Sequence, residues 1–433
     1  MENILRDISG ALWGFPMLIL IMCSGILLTL SLRFIQFRSF GKSVRAAFGR
    51  EGGNGAISPF SSLCTFLSAA MGTGNIIGVA VCIKEGGIGA PVWMTIGAVL
   101  TMPICFSETF LSVKNKGQGP GAAAYLKRGR GYTFLGFLSS VLGLGSVIQV
   151  SAISSSVENF SKECGKNIGS VAPIVGLFSA VLILVILSGG LKRVASLSEK
   201  LVPPLTVVYF ISCGIILFVS KENIIPSIRA MVSAAFDFRS ATIGSAGGIL
   251  LTISRGIAMG VFTNEAGLGT SGIAISQGVS TDPLKGGLIS MFGIFIDTIL
   301  MCNITAVTFV SSGVISGENS GWNMAGEAFR KGFFFAPRLG GFILMVCISA
   351  FAFASVIGWS YYGEVFFSHT FKKASPKIYK YLFSAAVFLG SFLSRGSLFY
   401  FSDIFNALMA YPNIITLLIK SGEIRKELIK RES

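Results

Sequence analysis

Charge is scarce in this chain. Only 13% of its 433 residues are Asp, Glu, Lys or Arg, and 52% are hydrophobic. Soluble globular chains carry about 25% charged residues, so that class is excluded. Histidine is nearly absent, with one copy, His369, at the end of an apolar run. One histidine and scattered cysteines cannot build a common metal site. Cys23, Cys64, Cys82, Cys105, Cys213, Cys302 and Cys347 lie inside apolar runs, and Cys164 lies in a loop. With no Cys-x-x-Cys and no paired framework, no structural disulfide is expected. An intramembrane enzyme would need paired catalytic groups such as His with Glu or Ser with Lys, and none is apparent. Acidic residues number 20 against 35 basic ones, a net charge of +15. Those basic residues sit between apolar runs, where the positive-inside rule accounts for them; no nucleic-acid partner is expected, and no obligate protein partner is evident.

What the chain has is long apolar runs, with a mean hydropathy of +0.73. It reads as an all-α polytopic membrane protein. The first run, Leu12 to Leu32, has the length of a true span rather than of a signal peptide. Eleven spans are expected, at 11–33, 57–83, 89–113, 133–159, 168–188, 196–220, 245–278, 285–312, 339–367, 378–394 and 398–419. An amphipathic stretch separates the sixth from the seventh, and Glu318 to Arg338 reads as the longest later loop.

Charge orders these spans. Arg33, Arg38, Lys42, Arg45 and Arg50 fall in the first loop, Lys114, Lys116, Lys127, Arg128 and Arg130 in the third, and Lys192, Arg193 and Lys200 in the fifth. Lys285, then Lys372, Lys373, Lys377 and Lys380, then Lys420, Arg425, Lys426, Lys430 and Arg431 continue on the same side. The N-terminus is therefore expected outside and the C-terminus in the cytoplasm of a bacterial inner membrane.

Two spans are broken at their centres. Gly72, Thr73, Gly74 and Asn75 interrupt one, and Gly260 to Thr270, with Thr263, Asn264 and Glu265, interrupt another. A pair of Gly-interrupted spans in matching halves points to a transporter's binding site near the midplane. Setting the first span aside leaves five (57–220) and five (245–419), separated by a connector at 221–244. An odd number per half inverts the second half against the first, the plan of an inverted repeat. Residues 1–56 then form a peripheral helix with a basic cytoplasmic loop, and 420–433 a basic tail.

These residues resemble the alanine or glycine:cation symporters, also described as sodium:alanine symporters or D-alanine/glycine permeases. The likeness rests on Gly72 to Ala80, on Gly86 to Trp93 with Glu108, and on Gly260 to Gly269. It continues in Phe295 to Thr298 with Cys302, Thr305 and Ala306, in Ser355 to Glu364, and in the pair Pro412 and Asn413. It covers most of residues 55–415. Three places depart from the family pattern: Gly119 to Tyr125, Ala354 before Ser355, and Asn303 where Thr is usual. The resemblance implies a leucine-transporter-like core and sodium-coupled symport of small neutral amino acids: alanine, glycine, D-alanine or serine.

A zwitterion in low dielectric needs donors for its carboxylate and acceptors for its amine. Backbone N–H groups near Gly74 and Asn75, with the Thr73 hydroxyl, can supply the first. Carbonyls around Gly260 to Asn264 can supply the second, which brings in Thr263 and Asn264. Close helix packing also explains the glycines but not Thr73 and Asn75 at the same depth. Gln149 lies mid-span; the resemblance implies substrate contact, and an interhelical hydrogen bond is the alternative. By resemblance Trp359 walls the pocket and limits side-chain size; core packing is the alternative. Trp13 and Trp93 read as interfacial anchors. For sodium, a hard cation that takes oxygen ligands, the candidates are the carbonyls of Ser68 and Met71 and the Ser355 hydroxyl. A back-bonded helix serine is the alternative for Ser355. Buried carboxylates in a membrane default to function. Glu265 is a candidate to steady the unwound backbone, and Asp297 to pair with Arg255 or carry a proton. A proton-coupled permease on the same fold is the nearest rival, and a channel a more distant one.

Overall fold

A backbone removed from water must satisfy its own N–H and C=O groups, and this chain does so with helices. The structure, a computed structural model, describes residues 2–49, 57–143, 145–166, 169–237, 248–278, 282–315, 321–392 and 395–432, and none of these forms a strand. Arg50, Glu318 and positions 238–244 of the expected connector lie outside the described residues.

The first helices are α1 (Glu2–Trp13), α2 (Phe15–Ser31), α3 (Ile35–Arg38) and α4 (Phe40–Phe48). The first half of the core comprises α5 (Pro59–Ala70), α6 (Ile77–Gly86), α7 (Ala90–Lys114), α8 (Gly129–Leu142), α9 (Val147–Glu163), α10 (Ala172–Ser188) and α11 (Gly190–Val219). The helix α12 (Lys221–Ala235) follows. The second half comprises α13 (Gly248–Asn264), α14 (Gly272–Gly278), α15 (Pro283–Ile294), α16 (Asn303–Ser311), α17 (Trp322–Gly332), α18 (Pro337–Thr370), α19 (Pro376–Gly390) and α20 (Arg395–Glu432). Pro at the first turns of α5, α7, α10, α15, α18 and α19 starts each helix where its missing N–H costs nothing.

Among the described residues, seven helical stretches are long and apolar enough to cross a membrane, one of them running through the short interruption between α8 and α9. The other four expected spans fall short for visible reasons. Those at 57–83 and 245–278 are split by their breaks, and α10 and α19 are only 17 and 15 residues long. Two further differences stand out. Residues 322–332, expected to be loop, form α17. The span expected at 133–159 is interrupted between α8 and α9, where Gly143 and Gly145 let Ser402 and Trp359 approach the backbone. Phe295–Cys302, between α15 and α16, is a π-helical turn, a feature often found at functional sites.

Packing joins the halves element by element. α7 lies on α15, α9 on α18, α10 on α19, α6 on α13 and α5 on α14. Polar ends are also matched. Lys114 meets Glu423 at 2.8 Å and also Glu427, Arg431 meets Asp282 at 2.9 Å, and Lys380 meets Glu364 at 3.4 Å. Ser61 bonds Glu199. Arg255 meets Glu85 at 3.1 Å, and Arg330 meets Glu163 at 2.9 Å. Each partnership joins ends that the charge pattern assigns to one side.

Candidate functional site

The first break begins where α5 stops at Ala70. Met71 and Gly72 are extended, and Thr73–Asn75 form a single 3₁₀ turn before α6 resumes. Asn75 holds this geometry with its own side chain. Its Oδ1 accepts the Gly72 N–H at 3.1 Å, while its Nδ2 donates to Asp297 Oδ1 at 2.7 Å and to the Asp297 carbonyl at 3.2 Å. Gln149 closes the other side: its Oε1 accepts both the Thr73 N–H and the Thr73 hydroxyl at 3.3 Å. Gly72 lets this contact form, because a Cβ would lie 2.8 Å from Gln149 Nε2 and push that side chain away. No described residue accepts from that Nε2.

The second break follows Asn264. Glu265 has φ +55°, and Gly267 and Gly269 have φ +94° and +80°, so the chain turns through left-handed conformations before α14. Asn264 serves the turn: its Oδ1 accepts the Ala266 N–H at 3.0 Å. Thr263 binds back to the Gly260 carbonyl at 2.9 Å, and its oxygen lies 3.3 Å from that of Thr298. Thr298 donates to Asp297 Oδ2 at 2.8 Å. Asn75, Asp297, Thr298 and Thr263 thus form a polar chain from one break to the other. The two breaks also touch directly, since a Cβ on Gly74 would lie 3.1 Å from Thr263 Cγ2 and 3.4 Å from the Phe262 ring.

Trp359 on α18 is fully buried and donates its indole N–H to Glu265 Oε1 at 2.7 Å. It therefore steadies the left-handed residue of the second break as well as filling space beside Gly145. Ser355, one turn earlier, donates to the Ala69 carbonyl at 3.0 Å rather than bonding back within α18. Ser198 of α11 donates to Ser68 Oγ at 3.0 Å. Ser68, Met71 and Ser355 are thus gathered at the frayed end of α5, where the last carbonyls of a helix lack intrahelical partners. Hydroxyls and carbonyls of this kind suit a hard monovalent cation.

One expected pairing is corrected. Asp297 does not meet Arg255: Arg255, in the middle of α13, is half exposed and meets Glu85 at the end of α6, and no ion pair among the described residues includes Asp297. The anchors Trp13 and Trp93 have specific partners, donating to the Asp403 and Ala235 carbonyls at 2.8 Å.

A network stood outside the expected site. Glu108 on α7 accepts the Gly269 N–H at 3.1 Å, the Asn413 amide at 2.6 Å and the Ser271 hydroxyl at 2.6 Å. Asn413 also donates to the Gly267 carbonyl at 2.8 Å and accepts from the Tyr125 hydroxyl at 2.7 Å. Tyr132 donates to the Leu268 carbonyl at 2.7 Å, and Ala122 N–H to the Gly269 carbonyl at 2.9 Å. These contacts hold the second break to α7, α8 and α20. Asn413 beside Pro412 in an apolar helix was the sequence signal for it.

The two broken helices meet inside an apolar bundle through Asn75, the Asp297 carboxylate, Thr298 and Thr263. The model of the sodium:alanine symporter family matches residues 1–431. The chain belongs to that family. Among its relatives is the sodium/alanine symporter AgcS of Methanococcus maripaludis, 31% identical, with 98% of this chain and 96% of that protein covered. The probable sodium/glutamine symporter GlnT of Bacillus subtilis is also 31% identical, over 97% of this chain and 89% of that one. A crystal structure of MhsT in complex with L-phenylalanine matches the fold with a TM-score of 0.59 at 14% identity, covering 88% of this chain and 99% of that one. As a sodium:alanine symporter family member, the protein is a multi-pass membrane transporter and not an enzyme. Membership supports cation-coupled amino-acid transport.

Proposed function

We propose that this transporter couples inward movement of sodium to uptake of a small neutral amino acid, alanine or glycine first, with D-alanine and serine as further candidates. The observation that carries this is the meeting of the breaks at Gly74 and Thr263, with Thr73, Gln149 and the break backbones around it and no basic side chain in their hydrogen bonding. A zwitterion needs dipoles rather than net charge there. Gln149 Nε2 and the N–H groups of the 3₁₀ turn are donors for its carboxylate. The carbonyls ending α13 are acceptors for its amine.

Sodium occupies the end of α5, bound by the carbonyls of Ser68 and Met71 and the hydroxyl of Ser355. Binding there clamps α5 to α18 and orders the break. Amino acid then binds, the outer side closes, and the two broken helices rock against the rest. One sodium ion moving through about 100 mV contributes about 2.3 kcal/mol, before its concentration gradient is added. Contact between corresponding elements of the two halves supports the inverted repeat of five helices each, the ion pairs support eleven crossings by joining ends of one side, and the basic residues of the alternate loops support an outer N-terminus and a cytoplasmic C-terminus.

One observation favours a second version. Asp297 is fully buried and has no cationic partner among the described residues, which suits a proton carrier. Uptake of radiolabelled glycine, L-alanine and D-alanine into proteoliposomes separates the two. Accumulation driven by a sodium gradient at equal pH supports sodium. Accumulation that persists with choline in place of sodium, and follows a pH gradient, overturns it.

A further inference from the structure

Beyond the first break lies a partly open cavity of about 240 Å³, lined among others by Ile77, Ser155, Glu158, Asn159, Trp322 and Ile348. Ile77 is two residues past Asn75, so the cavity adjoins the break on its α6 side. Its lining holds one carboxylate, one carboxamide and an indole, and no Lys or Arg. Glu163 nearby is already matched by Arg330 at 2.9 Å and by the Trp322 indole at 3.3 Å. Glu158 is not matched. Its Oε1 accepts the Val171 N–H at 3.1 Å, where α10 starts, and it belongs to no ion pair among the described residues. Lys162, one turn further along α9, forms none with it. Glu158 is therefore a carboxylate with no ionic partner among the described residues, in a recess with Ser155, Ser156 and Asn159 on one part of its wall and Ile77, Ile348 and Trp322 on the other, a concave shape that focuses its field.

We propose that this cavity is a loading site for the ammonium end of a neutral amino acid on its way to the break, with Glu158 as the attracting carboxylate; the proposal rests on the transport function above. A bare sodium ion fits less well, because it needs five or six oxygens. Half of the lining, Ile77, Ala152, Trp322 and Ile348, offers no side-chain oxygen, and an ion held on the Glu158 side would leave that half unused. An ammonium on a short aliphatic body matches all the walls. Its head takes Glu158 and the Asn159 amide oxygen, and its body lies against isoleucine and the Trp322 face. The same charge repels acidic amino acids.

The test uses the full chain in proteoliposomes, with whichever of glycine, alanine and serine the wild type takes up fastest. Glu158→Gln keeps an oxygen for Val171 and removes only the charge. The expected result is a KM raised about tenfold with an unchanged maximal rate, the size of a steering effect. Glu158→Lys should raise KM further and make aspartate a competitive inhibitor. An unchanged KM in Glu158→Gln overturns the loading site while leaving the transport function intact. A fall in maximal rate with lowered thermal stability and no KM change also overturns it, since Glu158 would then only hold the start of α10. Wild type that moves none of the three amino acids overturns the transport function, and this site with it.

Discussion

The carboxamide of Asn75 donates to the carboxylate of Asp297 at 2.7 Å, and its oxygen holds the Gly72 N–H at 3.1 Å. One side chain thus fixes the shape of the first break and ties it to the π-helical turn after α15. Asn75 acts on the break as a splint. Substrate and ion would feel it through the backbone that it positions.

Replacing Asn75 by Ala should therefore cost stability as well as transport. It leaves a buried N–H and a buried carboxylate each short of a partner, at about 1–3 kcal/mol per unsatisfied group. Asn75→Asp should be worse, because it sets a second carboxylate against Asp297. Initial uptake rates and thermal unfolding in detergent check this order: wild type above Asn75→Ala, and Asn75→Ala above Asn75→Asp, in both measurements.

Asp297→Asn separates the coupling ions. Asn at 297 can still accept from Asn75, and its amide can donate to Thr298, so the fold should tolerate it. With sodium as the coupling ion, the variant keeps a reduced, sodium-dependent uptake with the pH profile of the wild type. With a proton carried on Asp297, accumulation disappears and only exchange remains. Net uptake and counterflow, measured side by side across the neutral pH range, distinguish these results.

The two breaks were legible in the sequence because glycine beside Thr or Asn in the middle of an apolar run weakens the helix and sets polar groups where lipid cannot satisfy them. Gln149 stood out for the second of these reasons. What was not legible is pairing across distance. Nothing local says that Glu108 meets Asn413, 305 positions later, or that Trp359 donates to Glu265 rather than only walling a pocket. Nor could periodicity reveal the π-turn at Phe295–Cys302, since its residues are as apolar as a helix's. The interruption between α8 and α9 was hidden by hydropathy, which is blind to backbone angles. Arg255 looked buried because it lies in an apolar run, but it is half exposed on α13 where Glu85, at the end of α6, can reach it.

The glycines of the first break should differ in tolerance. A methyl at Gly72 meets the end of the Gln149 side chain, which can swing away at the loss of its bonds to Thr73. A methyl at Gly74 meets Thr263 and the Phe262 ring, both fixed on α13. Gly74→Ala should thus abolish uptake, whereas Gly72→Ala raises KM and keeps part of the maximal rate. Michaelis curves for the two variants check the contrast.

Trp359→Phe should keep most of the packing and remove one hydrogen bond, leaving Glu265 Oε1 without its 2.7 Å donor. The expected cost is about 1–3 kcal/mol, concentrated in a residue already held at φ +55°. If Trp359 only walls the pocket, Phe would admit larger substrates while alanine uptake stays fast. If the bond to Glu265 matters, alanine uptake falls, and Glu265→Gln in the wild-type background, which still accepts from the indole, is the milder change. Competition by serine and leucine against labelled alanine reads the first effect, and maximal rate reads the second.

The Glu108 network makes a last prediction about direction. Three donors converge on that carboxylate, and Asn413 extends its hold from the second break to Tyr125. Glu108 and Asn413 lie on the half of the bundle that the charge pattern assigns to the cytoplasm, so opening on that side must pull these contacts apart. Asn413→Ala removes the bridge to Tyr125 and to the Gly267 carbonyl together. It should favour the inward-open arrangement, giving faster labelling of a cysteine placed at Ser276 from the cytoplasmic side and weaker apparent substrate affinity from outside. Glu108→Gln retains one acceptor oxygen and should fall between Asn413→Ala and wild type. Equal labelling in all three would mean that the network only supports the fold and does not govern opening.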